Sequence, residues 1–182
     1  MSELVLRAEE VGDREAVRTI VAASFDGEQV PALLDDLRSS AAWLELSFVA
    51  ELEGEVVAHV VLTRAWVDGA AGPVDVLFLG PLSVRPDRAH AGIGTALVSH
   101  AIEALAGRDE PIAFAIGDPG YYSRFGFVRG DLLGFRPPSV QVPGEWFQAR
   151  PLPGRPGFVT GSLLLPDAWW RHGLVGVRPD GA

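Results

Sequence analysis

Hydrophobic residues near the start of the chain recur first at the spacing of a strand and then at that of helices. Leu4 to Arg7 is a short apolar-rich segment and predicts an edge strand. After Asp13, a favourable N-cap, apolar residues return about every 3.6 positions and predict an amphipathic helix. A second predicted helix has three leucines on one face and charged residues on the other, namely Leu33, Leu34 and Leu37 opposite Asp35, Asp36 and Arg38.

The pattern then changes to that of strands. Leu46–Glu53 and Glu55–Trp66 flank Gly54 and predict a β-hairpin. A further strand is predicted over Val74–Val84, and Ile112–Ile116 is typical of a short buried strand.

A glycine-containing loop and a third long helix separate these last two strands. From Ile93 to Leu105 the apolar residues fall on one helical face, and Gly107 is a natural helix stop. The last third of the chain, from Asp131, is rich in Pro, Gly and Trp, and Phe158–Leu165 is its clearest strand candidate. The order of elements predicts one α+β domain with a mixed sheet.

Composition narrows the chemistry that the chain can perform. The 182 residues include no cysteine, which excludes disulfides, thiolate metal sites and a cysteine nucleophile, and the four histidines lack metal-ligand spacing. A net charge of −9 disfavours nucleic-acid binding, and all 15 basic residues are arginine. The apolar runs are too short to span a membrane, and Met1–Glu10 carries acids rather than an apolar leader, so a cytoplasmic protein is expected.

Leu82–Leu97 is predicted to hold a strand end, a loop and a helix start. Backbone N–H groups at a helix start lack partners and, with the helix dipole, favour an anion such as a pyrophosphate. Gly92 and Gly94 remove side chains where a phosphate must approach the backbone. A Walker loop needs a lysine, which the chain lacks, and a Rossmann fingerprint is weak because its third glycine position is Leu97.

The same segment resembles the coenzyme A loop of the GNAT acetyltransferases, whose pattern is V-x-P-x-x-[RQ]-x-x-G-x-[GA]. Val84, Pro86, Gly92 and Gly94 fall in register with it. A second landmark of that family, Y-x-x-x-G-F after the fifth strand, is matched by Tyr122–Phe127. Two segments resemble the YhbS-like branch of acetyltransferases in particular, Leu79–Leu82 and Gly117–Phe127.

The resemblance implies a GNAT fold, with a mixed, mostly antiparallel sheet of six to seven strands flanked by about four helices. It implies a single domain over residues 1–182, with a core and acetyl-CoA site in 1–130 and C-terminal strands and an aromatic tail in 131–182. The implied acetyl-CoA contacts are Leu82, Ser83, Val84, Arg88, Ala89, His90, Ala91, Gly92, Ile93, Gly94 and Thr95.

The sequence departs from the family's pattern at three points, one of which is the absence of the asparagine that often holds the pantetheine after the fifth strand. Ala89 stands where Arg or Gln is usual, and Arg88, one residue earlier, is the candidate replacement. Gly80 stands four positions before Val84, where many members carry a glutamate that acts as general base. The identity of the general base is therefore left open, with water and another residue of the chain as the alternatives.

Tyr122 is the candidate general acid for the leaving thiolate, with packing in the core as the alternative. His59 lies in an otherwise apolar strand and is a candidate base or substrate contact, although a core histidine explains the pattern equally well. Acids near the second helix, among them Glu28 and Asp35, could attract a cationic amine. Four aromatic residues of the tail fit a core, an acceptor pocket or a dimer surface: Trp146, Phe147, Trp169 and Trp170.

The resemblance thus predicts an N-acetyltransferase that moves an acetyl group from acetyl-CoA to a primary amine. Transfer would be direct, in a ternary complex, because no cysteine can carry the acetyl group. The acceptor is a small-molecule amine or a protein N-terminus, without nucleic-acid or membrane partners, and a homodimer is left open. The alternatives are a GNAT-fold sensor or scaffold that binds an acyl-CoA without efficient transfer, and a nucleotide-binding regulatory domain.

Overall fold

The structure is a computed structural model that describes residues 3–153 and 159–175. Its strands in these ranges are β1 (Leu4–Ala8), β2 (Trp43–Leu52), β3 (Glu55–Gly69), β4 (Gly72–Val84), β5 (Ile112–Ile116), β6 (Val128–Arg129), β7 (Phe135–Arg136), β8 (Phe147–Pro151) and β9 (Gly161–Leu164). Its α-helices are α1 (Arg14–Ser24), α2 (Gln29–Arg38), α3 (Ile93–Glu103), α4 (Pro119–Tyr122) and α5 (Asp167–Arg171).

The chain divides into two compact units, and β3 and β4 contribute one half to each. The first unit comprises Met1–Leu62 and Leu79–Ala106, and the second comprises Thr63–Phe78 and Gly107–Ala182. The prediction of a single domain over 1–182 stays a prediction.

In the first unit the strands follow the order β1-β2-β3-β4. β1 and β2 are antiparallel, with Leu4 opposite Leu52 and Ala8 opposite Phe48. Helices α1 and α2 contact each other, and α3 packs against β1 and β2. The helices bury the apolar faces that their sequence periodicity predicts, which are Val17, Ile20 and Val21 in α1, Leu33, Leu34 and Leu37 in α2, and Leu97, Val98 and Ala101 in α3.

In the second unit the order is β3-β4-β5-β8-β6, and β9 pairs with β3 and β7. β5 and β8 are antiparallel, whereas β7 and β9 are parallel. Phenylalanines fill the core of this unit: the Phe114 ring stacks on Phe147 with centroids 5.4 Å apart and meets Phe135 edge-on at 4.9 Å. The buried Trp169 of α5 packs edge-on against Phe78, with ring centroids 5.1 Å apart.

The predicted elements are present with small shifts of their ends, and the differences have local causes. The described residues contain nine strands rather than six or seven, because β6 and β7 are only two residues long and carry no periodicity. β9 is shorter than the predicted Phe158–Leu165, and residue 158 lies outside the described ranges. Asp13 is the N-cap residue of α1, as predicted, but its side chain makes no capping hydrogen bond, because its carboxylate binds the Arg7 guanidinium at 2.7 and 3.0 Å.

The first unit contains a buried polar cluster, by which we mean Glu9, Arg38, Ser47 and His59. Arg38 was expected on the solvent face of α2, but its side chain is only 7% exposed and pairs with Glu9, whose side chain is 5% exposed. The Ser47 hydroxyl donates to Glu9 Oε2 and lies 2.9 Å from Nε2 of the fully buried His59. The cluster therefore joins the last residue of α2 to β2, β3 and the residue after β1.

The charges of the buried polar cluster follow from its surroundings. Burial lowers the pKa of His59, and the nearby Glu9 carboxylate offsets only part of that effect. Burial alone would raise the pKa of Glu9, but hydrogen bonds from His59 and Ser47 and the charge of Arg38 outweigh it and lower that pKa. At neutral pH the cluster thus holds a carboxylate, a guanidinium and a neutral imidazole.

We expect the buried imidazole to make the free energy of unfolding decrease as the pH falls below about 6.5. The unfolded chain binds a proton at His59 near that pH, whereas the folded chain does so only at lower pH. This contribution to stability is therefore complete above pH 6.5 and is lost as the pH falls toward the folded-state pKa, with a slope approaching about 1.4 kcal/mol per pH unit. Urea unfolding between about pH 7.5 and 5 measures the slope. The same slope in the His59→Gln variant would contradict this assignment.

Candidate functional site

The backbone turns sharply between the end of β4 and the start of α3. Arg85 N–H bonds the Val57 carbonyl at 2.8 Å, and Pro86–Arg88 form one 3-10 turn. Gly92 is the N-cap of α3 and has a φ of +79°, a left-handed conformation that glycine adopts without strain. The helix then starts at Ile93, so the segment predicted as strand end, loop and helix start has that structure.

The space over the start of α3 is open. A Cβ atom built on Gly92 would meet no atom within 4 Å, so an anion can approach the backbone closely there. The first intrahelical bond runs from Ala96 N–H to the Gly92 carbonyl at 3.0 Å, and the N–H groups that precede it have no acceptor inside the helix. These donors and the positive end of the helix dipole suit a phosphate or pyrophosphate.

The arginines of this loop differ in how firmly they are held. Arg85 binds Asp87 at 2.7 Å and Glu55 at 2.9 Å, so its charge is neutralised locally. Arg88 lies at 3.6 Å from Asp87 and keeps 40% of its side chain exposed. The guanidinium at position 88 is therefore the more available of the two for an anion, while Ala89 offers only its backbone.

The other predicted coenzyme contacts form one continuous stretch from the end of β4 into α3. Ser83 is buried, and Leu82 and Val84 on either side of it are half-buried. The Val84 carbonyl accepts a hydrogen bond from the Ser24 hydroxyl at 3.1 Å, which ties the end of α1 to the end of β4. Of the remaining positions, His90 and Ala91 are exposed, Gly94 and Thr95 are half-buried and Ile93 is buried.

Tyr122 lies in the second unit, at the end of α4. Its ring is 7% exposed and packs edge-on against Tyr121 and Phe127, with centroids 5.2 and 5.5 Å away. Burial, with a smaller effect of Tyr121, raises its pKa well above the usual range, so the phenol is protonated at neutral pH. A Cβ at position 117 would lie 2.6 Å from the Tyr122 ring, which explains the glycine there.

Serine, histidine and glutamate meet in the buried polar cluster, but they do not form a nucleophilic triad. A triad needs the serine on one imidazole nitrogen and the acid on the other. Here Ser47 Oγ and Glu9 Oε2 both face Nε2 of His59, at 2.9 and 3.4 Å, and Nδ1 has no hydrogen-bond partner. The imidazole is shielded from solvent, so the structure places this candidate base in the core, and its role in catalysis stays a prediction.

The remaining candidates are divided between ion pairs, core and surface. Glu28 and Asp35 both bind the Arg18 guanidinium, each at 2.5 Å, so neither is an unpaired acid. In the aromatic tail, Phe147 and Trp169 belong to the core, whereas Trp146 and Trp170 are 44% and 50% exposed.

In residues 3–153 and 159–175, no helix is long and apolar enough to cross a membrane and no cluster of three metal-ligating side chains occurs.

Comparison with known proteins identifies relatives of this chain. The sequence profile of the acetyltransferase (GNAT) family matches residues 2–127. The chain is 31% identical over 160 residues to the uncharacterized N-acetyltransferase YjhQ of Escherichia coli K12, covering 85% of each protein. It is 29% identical over 127 residues to the uncharacterized N-acetyltransferase YhbS of the same strain, covering 68% of this chain and 73% of YhbS.

Solved structures show the same fold. The crystal structure of E. coli YhbS in complex with CoA superposes with a TM-score of 0.83 at 24% identity, covering 97% of both chains. A GNAT family acetyltransferase from Brucella melitensis in complex with acetyl-CoA has a TM-score of 0.73 at 26% identity, covering 92% of this chain and 98% of that protein. The predicted fold class is thereby confirmed. Because the family profile covers residues 2–127, including β4 and the start of α3, the chain belongs to the GNAT family of acetyltransferases.

Proposed function

We propose that this chain transfers an acetyl group from acetyl-CoA to a primary amine. The observation that carries the proposal is the start of α3, where Gly92 leaves backbone donors open to an anion. Two proteins with the same fold were crystallised with CoA or acetyl-CoA, which supports the same ligand here. When bound, acetyl-CoA supplies a thioester whose carbonyl carbon an amine can attack.

The first unit supplies the groups that would hold the coenzyme. The N–H groups at the start of α3 would bind its pyrophosphate, and Arg88 would add a positive charge in a chain whose net charge is −9. Along β4, backbone groups of Leu82 and Val84 would hold the pantetheine arm. The Val84 carbonyl already accepts a bond from Ser24, so we assign that contact to the Val84 N–H.

Proton transfer to the leaving thiolate is assigned to Tyr122. Its raised pKa keeps the phenol protonated at neutral pH, and no group in the described part of the chain hydrogen-bonds its hydroxyl. A protonated, uncommitted hydroxyl is suited to general acid catalysis. The neighbouring Tyr121 packs against Phe125 and under the Arg124 guanidinium, which favours a packing role for that ring.

Deprotonation of the amine is assigned to water. Gly80 offers no carboxylate, and His59 is fully buried with Nε2 facing Ser47 and Glu9. The acceptor is a small-molecule amine or a protein N-terminus, and the transfer is direct because the chain has no cysteine. Release of CoA from acetyl-CoA in the presence of a panel of amines tests the proposal. Coenzyme binding without any amine-dependent release would favour the sensor alternative.

We expect CoA to raise the melting temperature of the protein, because a ligand that binds only the folded state stabilises it. Gly92→Glu should abolish the shift, since it puts a negative side chain where the phosphate binds. Gly107→Glu is the matched control: position 107 is also left-handed, with a φ of +82° and open space around it, but lies beyond the other end of α3. A normal shift in the Gly92 variant would mean that the pyrophosphate binds elsewhere.

Tyr122→Phe should lower kcat by about 100-fold while the affinity for CoA changes no more than a few fold, because the substitution removes only the acidic proton. Steady-state kinetics and CoA titration measure the two effects. Tyr121→Phe makes the same chemical change on the adjacent ring and should leave kcat within about threefold. Equal turnover of the Tyr122 variant and the wild type would exclude Tyr122 as the acid.

The pH profile should lack a plateau near neutrality. An alkylamine of pKa about 10 is neutral in about one molecule in a thousand at pH 7, so without a protein base kcat/KM rises about tenfold per pH unit up to the substrate pKa. His59→Gln should leave this slope unchanged. A profile that has already levelled off by about pH 7 in the wild type, with the steep rise restored in the variant, would instead identify His59, whose pKa is lowered by burial, as the base.

A further inference from the structure

A cleft lies in the first unit, apart from Leu82–Leu97, the segment that we call the coenzyme loop. It is formed where β1 ends, α1 begins, α2 ends and β2 begins, and its volume is about 360 Å³. Pockets that hold small molecules fall in the range of about 300–1,000 Å³, so a small metabolite fits by size. None of the groups assigned to coenzyme binding lines it.

The floor of this cleft is preorganised. Glu9, Arg38 and Ser47 line it, and each side chain is more than nine-tenths buried. They hold one another: Glu9 pairs with Arg38 and accepts from the Ser47 hydroxyl. A charged floor fixed by its own hydrogen bonds recognises a polar ligand without a large ordering cost.

The rim carries charged side chains of both signs, Glu10, Arg14 and Glu45, and all three are exposed. The side chains of Arg14 and Glu45 form no ion pair or hydrogen bond in residues 3–153 and 159–175. Other charged side chains of this unit do form ion pairs, as Arg7 does with Asp13 and Glu51. A free guanidinium and a free carboxylate at one opening match a ligand with a carboxylate and an ammonium group.

Glu45 is also held in an unfavourable backbone conformation. Its φ of +58° is left-handed, a conformation that a residue with a side chain rarely adopts. Such strain persists where the surrounding structure imposes it, and it is common at binding sites. Two residues earlier, the half-buried Trp43 also lines the cleft, and the centroid of its apolar ring lies 5.8 Å from the Arg38 guanidinium.

The cleft is separate from the coenzyme loop, because the two lie at opposite ends of α1. Arg14, the first residue of α1, lines the cleft, whereas Ser24, the last, bonds the Val84 carbonyl at the start of the coenzyme loop. Ten residue steps along a helix span about 15 Å. We propose that this cleft binds a small zwitterion with an apolar side chain, such as an α-amino acid, with Arg14 on its carboxylate, Glu45 on its ammonium group and Trp43 on its side chain.

Three probes of similar shape test the proposal by isothermal titration of the coenzyme-free protein. They are L-leucine, 4-methylpentanoate, which lacks the ammonium group, and 3-methylbutylamine, which lacks the carboxylate. We expect leucine to bind with one site per chain and each of the other two at least about tenfold more weakly, because each loses a charge-assisted contact. Arg14→Gln and Glu45→Gln should each weaken leucine binding by about tenfold or more.

Glu53→Gln is the matched control, because Glu53 is also exposed and left-handed, with a φ of +57°, but does not line the cleft. It should change leucine binding by less than about twofold. Absence of leucine binding, equal binding of the three probes, or wild-type affinity in both rim variants would overturn the proposal. Loss of leucine binding in the Gly92→Glu variant would contradict the claim that the cleft and the coenzyme loop are separate sites. Since the titration uses no acetyl-CoA, its outcome is independent of the acetyl-transfer assay.

Discussion

The first unit depends on one buried ion pair, that between Glu9 and Arg38. Glu9 follows β1 and Arg38 ends α2, so the pair fixes where that helix stops relative to the strand. Taking both charges out of water is costly, and additional hydrogen bonds offset part of that cost, although the buried Nε of Arg38 has no hydrogen-bond partner in the described residues. Ser47 donates one of these bonds to Glu9, and Arg38 also contacts Asp35 at 3.2 Å. Loss of Arg38 would leave the Glu9 carboxylate buried without an opposite charge, which typically costs about 3–5 kcal/mol.

The same pair determines what His59 can do. The carboxylate stays ionised in the presence of Arg38, and the imidazole beside it stays neutral because it is desolvated. The buried, neutral ring with Nε2 facing two protein groups packs in the core, and its role as a base stays a prediction. Three members of the cluster, Glu9, Arg38 and Ser47, also line the cleft beside Trp43. One interaction thus fixes the surroundings of the histidine and part of the lining of the cleft.

The sequence predicts the strand end, loop and helix start of Leu82–Leu97 correctly because the determinants of this segment are local. Val84, Pro86, Gly92 and Gly94 lie within eleven residues, between an apolar strand pattern and an apolar helix pattern. The buried polar cluster joins positions 9, 38, 47 and 59, whose proximity depends on strand register and helix packing. Nothing local distinguishes Arg38 from a solvated arginine on the polar face of α2. Asp13 is the N-cap residue of α1, but the absence of a capping bond from its side chain could not be predicted for a similar reason, since Arg7 competes for its carboxylate.

The ion pairs described above all use arginine, and this has a consequence for a member of an acetyltransferase family. Every one of its 15 basic side chains is a guanidinium, which stays protonated at physiological pH and is not a nucleophile there. The chain therefore offers no lysine amine that its own thioester substrate could modify. The charges of Arg38 and Arg85 therefore persist in the presence of acetyl-CoA, and the ion pairs that they form are not lost through acetylation.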